Sequence, residues 1–250
     1  MRLDRIIAVR SAKTVYRDGD RVIKEFGEDY SKADILREAH NQALIEETPL
    51  NIPKIREINK NDGRWTIVMD FIPGKTLERL IKEEPARKSD YIALMVELQL
   101  GMHAQRAPKL DYLRDKMHRK IGEADLMPSV RYELQTRLDS LPAHVKVCHG
   151  DFQPSNIVVR EGDGAPFILD WSHATQGNAS ADAARSYLLF HLAGDFSGAA
   201  TYIKLFCERS GTAESYVKKW LPIVAASQSV KGNPAEREFL MHWIDVVEYE

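Results

Sequence analysis

The sequence predicts an α+β chain of two lobes, a small antiparallel sheet carrying one helix and then a larger helix-rich part. Three observations predict it. Residues 1–72 are dominated by β-type runs, broken at Asp18-Gly19-Asp20 and Asn61-Asp62-Gly63. Each break sits between apolar or alternating stretches, the signature of a hairpin. Pro73-Gly74 then stops the last strand, and beyond it the pattern turns mostly helical.

Taken in order, "DRIIAVR" and "KTVYRDGDRVIKEF" supply the first strands. "SKADILREAHNQALIEE" follows, with apolar residues at helical spacing and Ser31 placed to cap it. "PKIREINKNDGRWTIVMDF" gives the second hairpin. Residues 76–84, 89–106, 112–140 and 180–249 read as helix, with short strands at "VCHGDFQPSNIVV" and "APFILDW". The expected division is 1–72, a nucleotide-binding lobe, and 73–250, a helical lobe carrying catalytic and metal-binding loops, with a cleft between them.

Composition narrows the classes. The formal net charge is −2 and no Lys/Arg cluster appears, so there is no basic footprint for nucleic acid. The N-terminal stretch is charged throughout and unlike a signal peptide, and no apolar run is long enough to span a bilayer. Cys148 and Cys207 fit neither a disulfide framework nor a zinc motif. A soluble cytoplasmic protein is expected.

The informative stretch is "VCHGDFQPSNIVV", where His149, Asp151 and Asn156 lie between two β-branched runs. A hairpin through "REGDGAP" then leads to Ile168-Leu169-Asp170-Trp171. Phosphoryl transfer needs this set of side chains. One carboxylate orients an attacking hydroxyl and accepts its proton, while an amide and a second carboxylate hold Mg²⁺ on the nucleotide phosphates. A polar turn between strands is the plainer reading of these residues alone. Their joint occurrence with an upstream strand lysine and helix glutamate favours the chemical one. "PGKT" at 73–76 imitates a P-loop but has Met69 where that motif needs glycine.

"HGDFQPSN…ILDW" resembles the catalytic and metal-binding loops of the aminoglycoside phosphotransferase / choline kinase family, protein-kinase-like enzymes that phosphorylate small-molecule hydroxyls. The resemblance implies Asp151 as catalytic base, Asn156 and Asp170 as Mg²⁺ ligands, and His149 as a brace for the loop. It implies Lys24 in "RVIKEF" on the ATP phosphates, paired with Glu38 in "DILREAHNQ". In "VMDFIPG", Met69 stands behind the adenine, with the Asp70 carbonyl and Ile72 amide at its edge. Asp182 begins a core helix and bonds the catalytic-loop backbone. Two departures stand out. Residues 9–17 contain no glycine, leaving Ser11 and nearby amides for phosphate contact, and Ser172 occupies a place where many members carry an acid.

The implied partners are ATP with Mg²⁺ and a small-molecule hydroxyl acceptor, an aminoglycoside or another amino-bearing metabolite, with neither nucleic acid nor membrane. The alternative is a nucleotide-binding pseudokinase or sensor. A kinase for polypeptides is disfavoured, because the stretch from Asp170 to Asp182 is too short for a peptide-binding platform. Asp245, Glu248 and Glu250 suit either a cationic acceptor or a solvated helix face.

Overall fold

The computed structural model describes residues 5–10, 13–61 and 63–244. Its internal contacts divide the chain into two compact units, Met1–Leu80 with Ser155–Ala174, and Ile81–Pro154 with Thr175–Glu250. Relative to the expected 1–72 and 73–250, the first unit also takes in 73–80 and 155–174.

The first unit is built on a five-stranded antiparallel sheet of order β1-β2-β3-β5-β4. Its strands are β1 (Arg5–Arg10), β2 (Lys13–Asp18), β3 (Arg21–Phe26), β4 (Ile55–Asn61) and β5 (Arg64–Asp70). Both expected hairpins are present, and Gly19 and Gly63 sit in their turns at φ 59° and 84°, where a side chain would be strained. Between β3 and β4 runs α1 (Lys32–Glu46), whose Ser31 hydroxyl accepts from the Ala33 amide at 3.2 Å. Ile35, Glu38, Ala39, Gln42 and Ile45 form its buried stripe at helical spacing. Phe26, Ile35, Ala39 and Ile67 make a core cluster, flanked by Tyr30, Ile55, Trp65 and Met69.

A second, three-stranded sheet explains why the unit reaches past residue 72. β6 (Gly74–Thr76), β8 (Ile157–Arg160) and β9 (Pro166–Ile168) pair in the order β6-β8-β9. Gly74 lies against the Val159 carbonyl so closely that a Cβ would collide with it. The chain leaves this unit through α2 (Leu77–Glu83).

The second unit is mainly helical, with one two-stranded ladder pairing β7 (Lys146–Cys148) with β10 (Thr175–Gly177). α3 (Lys88–His103) is followed by α4 (Leu113–Glu123) and α5 (Pro128–Ser140). The mostly helical stretch expected over 112–140 holds two helices, because Pro128 occupies the first turn of α5 and cannot sit inside a helix. The helical stretch expected over 180–249 is likewise divided. It comprises α6 (Ala179–Leu192), α7 (Phe196–Ser210), α8 (Glu214–Lys218), α9 (Leu221–Ser229) and α10 (Pro234–Ile244). Gly194 and Gly211 follow α6 and α7 at positive φ, and Pro222 and Pro234 lie in the first turns of α9 and α10. α6 packs on α7 and α9, burying Ala183, Ala184, Leu188 and Ile223 completely. Among the described residues no helix is long and apolar enough to cross a membrane.

Candidate active site

In the first unit the pleat decides which side chains meet. Val15, Lys24 and Ile67 lie opposite one another across β2, β3 and β5, and Val22 lies opposite Met69. Residues two apart share a face, so Lys13, Val15, Val22, Lys24, Ile67 and Met69 stand together. A register slip of one residue would turn Lys24 to the other face. α1 covers part of this face and brings Glu38 to it. The Lys24 Nζ donates to Glu38 Oε1 at 2.5 Å and lies 3.3 Å from Asp170 Oδ1. Burial alone presses the Lys24 ammonium down, but the charges of Asp170 and Glu38 outweigh it and hold its pKa above the ordinary lysine range.

The β8–β9 hairpin sets the other side of this group. Ile157 pairs with Ile168, and the Leu169 amide donates to the Asn156 carbonyl at 2.8 Å. Asn156 and Asp170, fourteen residues apart in the loop-and-strand arrangement expected from "REGDGAP", are thereby neighbours at the open end of one hairpin. Asp170 is the one non-glycine at positive φ among the described residues, at 60°. Such a conformation costs of order 1–3 kcal/mol and persists where the surroundings impose it.

Lys13, Lys24, Glu38, Met69, Asp70, Ile72, Asn156 and Asp170 all line one cavity of about 350 Å³ that lies wholly within this unit. Its wall is apolar at Val22, Ile67 and Met69 and ionic at Lys24, Glu38 and Asp170. The Asp70 carboxylate accepts from Arg56 Nε at 2.7 Å, and Asp70, Phe71 and Ile72 line the cavity. Ser11 lies outside the described residues, as do Asp245, Glu248 and Glu250.

The second unit carries His149, Asp151 and Asp182. Gly150 takes φ 78° between the first two, and its amide donates to Asp182 Oδ1 at 2.7 Å. The Asp151 amide donates to His149 Nδ1 at 3.2 Å, and the His149 ring meets the Phe152 ring edge-on. The turn is therefore held by two side chains, both buried. Asp182 stands in the first turn of α6 and also accepts from His103 Nε2 at 3.0 Å and Gln99 Nε2 at 3.2 Å. Burial pushes the Asp182 carboxyl up, but the hydrogen bond and charge of His103 and the Gly150 amide hold it below the usual range.

Asp151 itself has Arg185 Nη2 at 3.6 Å from Oδ1 and the Gln153 amide at 3.1 Å from Oδ2. Burial presses the Arg185 pKa down, opposed by the charges of Asp151 and Glu236.

Sequence reasoning passed over Lys13, His103, Gln153 and Arg185. Lys13 and Arg185 had readable signals. Lys13 lies two residues before the cross-strand partner of Lys24, and Arg185 lies three after Asp182 on one helix face. His103 comes from a distant helix and had none.

An antiparallel sheet with one helix, a lysine on that sheet paired with a glutamate on the helix, and a helical second unit define the protein-kinase-like class of phosphotransferase fold. The chain belongs to the phosphotransferase enzyme family, whose sequence model matches residues 5–216. The solved structures agree in fold. A thermostable mutant of aminoglycoside phosphotransferase APH(4)-Ia, in ternary complex with AMP-PNP and hygromycin B, superposes with a TM-score of 0.71 at 14% identity, covering 98% of this chain and 93% of that one. An aminoglycoside-3'-phosphotransferase of type VIII gives 0.65 at 16% identity, covering 92% and 91%. Choline kinase LicA from Streptococcus pneumoniae gives 0.64 at 14% identity, covering 96% and 87%. No curated protein matches the sequence.

Proposed function

We propose that this phosphotransferase moves the γ-phosphate of ATP to a hydroxyl of a small molecule. The observation that carries the reading is the Lys24–Glu38 ion pair joined to Asp170, in a cavity that also takes in Asn156 and residues 70–72. The adenine lies against Met69 with its edge toward the backbone of Asp70 and Ile72. Lys24 holds the phosphates, and Glu38 fixes the direction of its ammonium.

The Asn156 amide oxygen and the Asp170 carboxylate are hard oxygen donors of the type Mg²⁺ takes, and they fit that ion as ligands. When bound there, Mg²⁺ supplies charge neutralisation on the phosphate oxygens. The remaining work falls to the chain. Asp151 accepts a hydrogen bond from the acceptor hydroxyl, aims its oxygen at the γ-phosphorus and takes the proton as the new O–P bond forms and the bond from that phosphorus to the β–γ bridging oxygen breaks, releasing ADP. Gln153 and Arg185 restrict Asp151 to one rotamer, and Asp182 and His149 fix the backbone that carries it. Most of the acceleration is positioning.

Acceptors bearing amines, such as aminoglycosides and amino alcohols, are the class to try first, because the similar solved structures include aminoglycoside phosphotransferases and a choline kinase. A pseudokinase reading is less economical, since Lys24, Asp151, Asn156 and Asp170 are all retained. A cytoplasmic setting accords with ATP use and with two free cysteines, one of them buried. The test is Mg²⁺-dependent transfer from labelled ATP across aminoglycosides, amino alcohols and sugars, with Asp151→Asn in parallel. Transfer by the wild type alone supports the assignment. Equal transfer by the Asp151 variant would remove Asp151 from the chemistry.

A further inference from the structure

Lys13 opens β2 and points into the same cavity as Lys24. Its Nζ donates to Glu38 Oε2 at 2.6 Å, while Lys24 takes Oε1 at 2.5 Å. One carboxylate thus anchors two ammonium groups, one on each oxygen. With Asp170 Oδ1 3.3 Å from the Lys24 Nζ, the two ammonium groups meet two carboxylates, and both stand on one wall of the cavity.

The Lys13 ammonium is also fixed from below, 5.1 Å from the Phe26 ring centre and 5.0 Å from that of Tyr30, within cation–π range. Its side chain is 17% exposed. An ammonium has three donor hydrogens, and Glu38 takes one. Phe26 stands directly opposite Lys13 on β3 and shares its strand face with Lys24, so the register holds both cations on one wall. The stretch 9–17, where a kinase closes backbone amides of a glycine-rich turn over the phosphates, has no glycine and contains Lys13.

We infer that Lys13 binds the phosphate chain of the nucleotide beside Lys24, replacing with a side-chain cation what a glycine-rich turn supplies with backbone amides. This rests on the nucleotide reading of the cavity. Glu38 aims both lysines, and the phosphates, still anionic with one divalent cation bound, meet two positive groups.

The experiment is calorimetric titration of ATP, ADP and adenosine, each with Mg²⁺, into wild type, Lys13→Met and Lys13→Gln. Glutamine keeps a donor for Glu38 and removes the charge, so it separates support of Glu38 from attraction of phosphate. Both variants are expected to bind ATP and ADP about tenfold more weakly, the size of one charge-assisted hydrogen bond, with adenosine unchanged. The dependence of ATP affinity on salt should become shallower in both. ATP affinity within twofold of wild type in Lys13→Gln overturns the inference. So does an equal loss for adenosine, which marks a damaged cavity. A wild type that binds neither ATP nor ADP overturns the nucleotide reading instead.

Discussion

Asp182→Asn tests how the catalytic turn is held. The Asp182 side chain is fully buried, and its two oxygens receive three donors, from Gly150, His103 and Gln99. Asparagine is the same size but has one acceptor oxygen. Whichever way it is placed, its amide faces a buried donor, either the Gly150 amide or the pair from α3. The substitution loses at least one charge-assisted bond, worth about 1.5–3 kcal/mol, and leaves a buried donor unmatched, at about 1–3 kcal/mol. A loss of about 2.5–6 kcal/mol, at roughly 2–4 °C per kcal/mol for a chain of this size, lowers Tm by about 5–24 °C.

The pH dependence follows from the depressed carboxyl. Its stabilisation is fully present above the unfolded value of 3.8 and is lost as pH falls through the lower folded value. The Tm gap between wild type and Asp182→Asn is therefore constant near neutrality and narrows only in acid below about pH 4. Because Gly150 precedes Asp151, kcat should fall while ATP affinity is kept. Thermal unfolding by circular dichroism from pH 3 to 8, with kcat at neutral pH, reads all three. A Tm change under about 2 °C, or a gap that closes already at pH 6, would refute this account of the turn.

Two further predictions concern packing. Gly74→Ala drives a Cβ into the Val159 carbonyl and should cost about 1–3 kcal/mol, whereas Gly101→Ala, in the last turn of α3 with nothing within 4 Å, should gain up to about 0.5–1 kcal/mol. Opposite signs in denaturant midpoints check the pair, and equal signs would sink the argument from close approach. Cys148 is completely buried and burial pushes its thiol well above the ordinary range, while half-buried Cys207 is raised less. A disulfide reagent at pH 8 should therefore label Cys207 slowly and Cys148 only on unfolding. Rapid native labelling of both would contradict the placement.

The sheet, α1 and both hairpins were legible because their signals are local. Asp-Gly and Asn-Asp-Gly turns, a serine cap and a helical stripe each lie within a few residues. The helix breaks at 124–127 and 193–195 were less so, since a pattern of apolar spacing runs on across a short loop and only Pro128 and Gly194 mark the interruption. The candidate site was legible where its residues cluster in sequence, as in "HGDFQPSN", or where one strand and one helix carry a lone lysine and a well-spaced glutamate.

By itself the sequence determined the class of fold and the family, and it named the polar groups proposed for phosphoryl transfer, because turn chemistry, periodicity and short motifs act over neighbouring residues. Only tertiary structure decided which partners those groups have. Lys13 reaches Glu38 through strand register and helix placement across 25 residues of chain. His103 and Gln99 reach Asp182 across about eighty. Residues 155–174 join the first unit because β8 hydrogen-bonds β6. Buried charges must find their partners wherever packing brings them, and distance along the chain carries no record of that.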